Sequence, residues 1–246
     1  MTLNFKKSLE DWRRNSKIQR ETPEIWLLED LKVGYIQIPK VATRSIQHCL
    51  ANYYVEQKRI DKPLSWNKEY IKKVEEKTAF HTTHKTLSAL AEDNFIFAFV
   101  RDPYDRLYSA YKNKVMQPLE KDKKNIFRNH GIQLGMKFSE FVDIVYNIPD
   151  SKIDRHLRSQ SWFLSYNKRL IPQFIGHLES FYEDWAELNK QFNLGEPTHK
   201  NSTESLDVES YREQYDSELE KKVFNRYKKD FEFFGYERLK KGVNQF

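Results

Sequence analysis

A lysine in a turn between an apolar strand and a helix is a place where a phosphate can be gripped, and Lys40 stands in such a turn. The segment reads Tyr35-Ile36-Gln37-Ile38-Pro39-Lys40-Val41-Ala42-Thr43-Arg44-Ser45. Val33, Tyr35, Ile36 and Ile38 read as a short buried strand, Pro39 ends it, and Thr43 or Ser45 can cap a helix over 46–53. A helix N-terminus carries unpaired N–H groups and partial positive charge, so an anion there meets backbone donors together with the Lys40 ammonium. The same residues also suit an ordinary strand, turn and capped helix with a solvated lysine. The glycine-rich Walker pattern is absent.

A second group follows the apolar run Asn94-Phe95-Ile96-Phe97-Ala98-Phe99-Val100: Arg101-Asp102-Pro103-Tyr104-Asp105-Arg106-Leu107-Tyr108-Ser109. Ligands of open α/β sheets bind beyond the carboxyl ends of strands. Arg101 is then placed to hold a second phosphate bidentately, and Ser109, two turns into the next helix, to add a hydroxyl. The competing reading is a local ion-pair cluster of Arg101 and Arg106 with Asp102 and Asp105.

The elements that must position these residues alternate. The uninterrupted apolar character of 94–100 predicts a central strand of a parallel sheet covered on both faces. Residues 172–178 predict a third core strand, and helical patterns run over 66–77, 104–116, 138–146 and 181–192. A long charged helix is predicted over 209–229, with Tyr211, Tyr215, Leu219, Val223 and Tyr227 spaced to cover a core. Residues 117–135 read as a polar, lysine-rich insertion and 195–206 as a loop. Strands alternating with helices imply an α/β fold with a mostly parallel sheet flanked by helices. One domain is expected, with an N-terminal helical extension over 1–30 and a core over 33–236.

Composition sets the outer bounds. The chain has 246 residues, of which 39% are hydrophobic and 15% aromatic, a globular balance. No stretch approaches the ~20 apolar residues that cross a bilayer. The single cysteine, Cys49, excludes an intramolecular disulfide and leaves no zinc cluster. A reducing cytoplasm fits that usage, as does an excised soluble catalytic domain. A net charge of +6 favours an anionic partner. Its lysines and arginines are interleaved with acids, with no long basic tail, so nucleic acid is not the expected partner. Oligomeric state is not legible.

In two places, Ile38-Pro39-Lys40-Val41-Ala42-Thr43-Arg44-Ser45 and the run from Phe97 through Arg101, Asp102, Pro103, Arg106, Ser109 and Tyr111 to Lys114, the chain resembles the carbohydrate sulfotransferases related to the HNK-1, chondroitin and heparan 2-O enzymes. The likeness continues through Gly176-His177-Leu178-Glu179-Ser180-Phe181, Thr198-His199-Lys200-Asn201-Ser202-Thr203 and Tyr227-Lys228-Lys229-Asp230-Phe231-Glu232-Phe233-Phe234-Gly235-Tyr236, spanning 33–236. The resemblance implies a three-layer, P-loop NTPase-like fold. It also implies sulfuryl transfer from 3'-phosphoadenosine 5'-phosphosulfate (PAPS) to a sugar hydroxyl, with an acidic glycan or a glycolipid as the acceptors that suit the basic composition, and no obligatory metal.

By the same resemblance, Lys40, Val41, Ala42, Thr43, Arg44 and Ser45 hold the 5'-phosphosulfate, and Arg101 with Ser109 holds the 3'-phosphate. Lys40 neutralises charge on the leaving oxygen. Lys200 approaches the nucleotide or is solvated. A general base must take the acceptor proton, and the candidates are His81 and His84, with the family spacing favouring His81. The segment 154–160 resembles one with a histidine and glutamine near the acceptor. It departs from the commoner form at Leu157 and Ser159, beside His156 and Gln160. Two other readings share the composition: a nonenzymatic module that binds acidic polymers through a basic face, and a small-molecule kinase. The kinase lacks the glycine-rich lysine loop and a magnesium-binding carboxylate pair.

Overall fold

The computed structural model of the chain describes residues 22–58, 68–116, 125–197 and 211–239. The chain sorts into two compact units that alternate along it. The first takes residues from 1–100 and 163–202, the second from 101–162 and 203–246. In chain order the elements begin with β1 (Glu24–Leu28), β2 (Val33–Ile36), α1 (Thr43–Gln57), α2 (Lys68–Thr78), β3 (Ala79–His81), α3 (His84–Asp93) and β4 (Phe95–Val100) of the first unit. The second unit contributes α4 (Pro103–Tyr111) and α5 (Phe138–Asn147), and α6 (Gln160–Leu164) carries the chain back. Then come β5 (Ser165–Tyr166), β6 (Arg169–Leu170), β7 (Phe174–His177) and α7 (Phe181–Phe192) of the first unit, and α8 (Ser217–Arg226) and α9 (Lys228–Phe234) of the second.

The first unit is built on a five-stranded sheet in the order β3-β1-β2-β4-β7. β4 runs parallel to both β2 and β7, as its apolar sequence predicts, while β1 runs antiparallel to β2 and β3. One strand therefore opposes four, and the sheet is mixed. α2 packs on β1 and β3, α3 against β4 and α7 on β7. Successive strand residues point to opposite faces, and Ile25 and Trp26 are both 0% exposed, so both faces are covered there.

Residues 24–28 were expected in a helical extension and instead form β1, while residues 1–21 lie outside the described part. The reason is hairpin geometry. Two apolar runs flank the loop 29–32, in which Lys32 takes a left-handed φ of 54° and Leu31 N–H donates to the Leu28 carbonyl at 3.1 Å. Near the far edge, Gly176 sits opposite Phe99 on β4. A Cβ there would come within 2.3 Å of the Phe99 ring, so only glycine lets β7 close on β4.

The second unit is helical. Tyr104, Phe127, Phe141, Tyr215 and Tyr227 lie in its core, with Tyr215 Oη donating to the Tyr104 carbonyl at 2.8 Å and Tyr227 Oη to that of Leu157 at 2.8 Å. Tyr211, Tyr215, Leu219, Val223 and Tyr227 are all buried, as their spacing predicts, but not on one helix. Asp216 accepts from Glu218 N–H at 2.9 Å and Leu219 N–H at 2.8 Å, so it caps α8 as a fresh start, and α9 begins after Tyr227. Likewise α4 ends at Tyr111 and continues as a π-helix over Lys112–Met116. No helix among the described residues is long and apolar enough to cross a membrane.

Candidate active site

The turn after β2 is unusual in its backbone. Lys40 has φ 73° and Ala42 φ 39°, left-handed values that cost most residues energy and that glycine normally supplies. Neither is glycine, so the surroundings impose the shape. Val41, between them, is 0% exposed, and Thr43 Oγ1 donates to the Ile38 carbonyl at 2.9 Å. Thr43 thus ties the turn shut from inside. It does not cap the helix: the N-cap is Ala42, which has no side-chain cap bond, and α1 starts at Thr43 rather than Ile46. Nor does Ser45 cap it; its backbone N–H closes the first turn on the Ala42 carbonyl at 2.9 Å. A turn of this form at a helix N-terminus makes a concave nest of N–H groups suited to an anion. Lys40 is half-buried within it and Arg44 is exposed.

His81 ends β3, directly opposite Glu24 of β1 in the antiparallel register. Its Nε2 lies 3.7 Å from Glu24 Oε2, and its Nδ1 lies 3.4 Å from the Thr22 carbonyl. A carbonyl can only accept, so in the neutral ring this contact favours the proton on Nδ1, with Nε2 facing Glu24. Glu24 is 5% exposed and also accepts from Gln37 Nε2 at 3.3 Å. Gln37 in turn accepts from Gln47 Nε2 at 2.8 Å. A polar chain therefore runs from β3 through β1 to the residue before Ile38 and on to α1. His84 is the first residue of α3, which Thr83 caps by accepting from Thr86 N–H at 3.2 Å.

In the second unit, Arg101 meets Asp105 at two points, while Asp102 caps α4 by accepting from Tyr104 N–H at 2.8 Å and Asp105 N–H at 3.1 Å. Asp105 and Ser109 are four residues apart on α4 and share a face, so the guanidinium held by Asp105 lies on the Ser109 side of the helix. Arg106 takes a different route: it is 2% exposed and donates to the Arg158 carbonyl at 2.7 Å. The backbone of Arg101 is fixed as well. Its N–H donates to Gln160 Oε1 at 2.9 Å, and its carbonyl accepts from Gln160 Nε2 at 2.7 Å. Gln160 is fully buried, and its own N–H donates to Asp230 at 2.7 Å. Burial pushes the Asp230 carboxyl up against the pull of these bonds.

His156 is paired with Asp154, Nδ1 to Oδ1 at 2.7 Å. Burial holds the imidazole below its ordinary range against that pairing, and the bonds from His156 outweigh burial to hold the Asp154 carboxyl low. Ser159, where the sequence departs from the commoner family form, gives its N–H and hydroxyl to Asp150, which also accepts from Arg226 Nη2 at 2.7 Å. Cys49 is buried and burial pushes its thiol up to about 12, so it is inert. Lys200 and the motif 198–203 lie outside the described residues. Among the described residues no cluster of His, Cys, Asp and Glu has metal-binding geometry.

Sequence reasoning missed Glu24, Gln37, Gln47, the two-point pairing of Asp105 with Arg101, and the bonds of Gln160 to the Arg101 backbone. The signal for Glu24 was present: apolar runs on either side of 29–32 mark a hairpin, and its register places Glu24 beside the turn.

The fold is thus of the mixed α/β class, its second strand running into a left-handed turn at a helix N-terminus. The family model described as Sulfotransferase family matches residues 23–237, and the chain belongs to that family. It is similar to carbohydrate sulfotransferase 12 of Xenopus laevis, 27% identical over 171 residues, which cover 57% of this chain and 39% of that relative. The chain thus matches about two fifths of the relative's length. No solved structure matches the chain.

Proposed function

We propose that the protein transfers the sulfuryl group of PAPS to a hydroxyl of a carbohydrate, on a three-layer sheet of P-loop-like design. The observation that carries this reading is the left-handed turn at Lys40 and Ala42, placed at the start of α1 in a chain of the sulfotransferase family. The turn suits the donor's 5' end: a nest of N–H groups with one lysine matches a phosphosulfate, which has no β,γ-phosphate pair to wrap. The donor supplies a sulfuryl group whose bond to the phosphate oxygen breaks as one to the acceptor oxygen forms.

Each residue then has a task. Lys40, with Val41 to Ser45, holds the 5'-phosphosulfate and meets the charge that grows on the leaving oxygen. Arg101, its fork set by Asp105, and Ser109 hold the 3'-phosphate. His81 Nε2 takes the acceptor proton, a reading supported by the Nδ1 contact with the Thr22 carbonyl. His84 is the alternative base.

The test is ligand-linked stability. At a hundredfold excess over its dissociation constant, 3'-phosphoadenosine 5'-phosphate (PAP) should add about 2.7 kcal/mol, while AMP and ATP at the same concentration add less. Equal shifts for all three, or none, overturn the donor assignment. Transfer of radioactive sulfate from labelled PAPS to desulfated chondroitin, desulfated heparan and a glycolipid then identifies the acceptor class.

A further inference from the structure

We infer that Glu24 is the positioning residue for His81, tying the base to the strand that feeds the Lys40 turn; the inference rests on His81 being the base. A carboxylate 5% exposed on a sheet strand is unusual, because burying a charge is costly unless something answers it. Two groups that answer it here are the imidazole opposite, with Nε2 at 3.7 Å, and the amide of Gln37 at 3.3 Å. The two ring contacts divide the work. The Thr22 carbonyl favours the proton on Nδ1, and Glu24 faces Nε2, where the added proton brings the charge.

During transfer the acceptor proton passes to Nε2 as the acceptor oxygen bonds sulfur. The sulfur–oxygen bond to the donor phosphate breaks and its electron pair leaves with the phosphate. The imidazolium so formed lies beside a carboxylate already desolvated and held by Gln37, so its charge is met without rearrangement. Gln47 continues the chain onto α1, whose first turn follows Lys40. The same network thereby connects the base to the donor turn within one sheet unit.

Glu24→Gln keeps the shape and can still accept from Gln37, but removes the charge; Glu24→Asp keeps the charge and shortens the arm. Both are compared with His81→Ala for transfer from labelled PAPS to desulfated chondroitin or heparan, and for release of inorganic sulfate when water is the acceptor. The expected result for Glu24→Gln is a fall in kcat of about 10- to 100-fold, part of what a general base contributes. KM for PAPS and thermal stabilisation by PAP stay unchanged, and no further fall follows when His81 is already alanine. Glu24→Asp should retain more turnover than Glu24→Gln. Nitrogen NMR of the His81 ring, which needs no acceptor, should differ between wild type and Glu24→Gln. Wild-type kcat in Glu24→Gln with an inactive His81→Ala overturns the role of Glu24 alone. An unimpaired His81→Ala overturns the base assignment and this inference with it. Loss of PAP stabilisation in Glu24→Gln, retention of turnover by Gln above Asp, or an unchanged ring spectrum makes Glu24 a purely structural residue and overturns the proposal.

Discussion

The guanidinium of Arg101 and the carboxylate of Asp105 meet at two points, Nε to Oδ2 at 2.8 Å and Nη2 to Oδ1 at 2.7 Å. This pairing ties Arg101 to an acid in the first turn of α4. It also fixes the plane of a five-donor fork, two of whose donors are committed to Asp105.

If that fork grips the 3'-phosphate, Arg101→Lys weakens PAP by about 10- to 150-fold, equivalent to about 1.5–3 kcal/mol for bonds to a charged group. AMP, which lacks the 3'-phosphate, should bind both proteins alike. Calorimetric titration of the two nucleotides decides the matter, since parallel losses would mean that Arg101 acts only through the fold.

Lys40→Ala removes an ammonium from the turn after β2, where the proposed function puts the donor's phosphosulfate. Turnover should fall about 100- to 1000-fold, as for other preorganised stabilisers of a developing anion. Lys40→Gly is the informative companion: it relieves the left-handed φ of 73° while losing the same charge. A Lys40→Gly protein that is more heat-stable yet equally inactive would separate backbone strain from chemistry.

Stability of the helical unit should depend on acid through Asp150. Burial pushes this carboxyl up, but Arg226 and Ser159 more than offset it and hold it below the ordinary range. A depressed folded value means that the unfolded chain takes the proton more readily. The contribution is therefore complete above the unfolded carboxylate value near ~3.9 and is lost as pH falls through the lower folded one. Asp150→Asn leaves the Arg226 side chain, 8% exposed, without its carboxylate and should cost about 3–5 kcal/mol at pH 7. Urea unfolding of both proteins from pH 7 down to pH ~2.5 should show the gap shrinking below pH ~4.

Gly176→Ala places a methyl where the Phe99 ring lies, 2.3 Å from the nearest ring atom. Phe99 is wedged among Phe174, Phe181 and Trp185 and has little room to turn. A loss of about 1–3 kcal/mol is expected, the usual range for overpacking. A double variant, Gly176→Ala with Phe99→Leu, should recover part of it in a thermal melt.

How much of this was legible depended on length and on partners. β4 announced itself because all six of its residues, Phe95–Val100, are apolar. The turn was legible as chemistry but not as geometry: nothing in Lys40 or Ala42 signals a left-handed backbone, which Val41 and Thr43 impose by burial and by a bond to Ile38. β3 has only three residues, Ala79–His81, too few for any period, and it exists because β1 is there to pair with it. The break at Asp216 was masked by tyrosines and leucines whose spacing continues across it, although an Asp followed by Ser217 and Glu218 is a start signal. Partners distant in sequence, such as Gln160 for Arg101, leave no local trace at all.

The alternation of the two units has a consequence for how the chain comes off the ribosome. β4 is completed by Val100, yet its outer neighbour β7 ends at His177, and the bond from Ile96 N–H to Gln173 Oε1 joins residues 77 apart. The β1–β2 hairpin can form as soon as it emerges, but the sheet gains its last strand only after the intervening helical segment has been made. Until then the Phe97–Phe99 side of β4 presents an unpaired edge, so synthesis arrested before residue 174 should yield nascent chains that recruit a holdase, and arrest beyond residue 192 chains that do not.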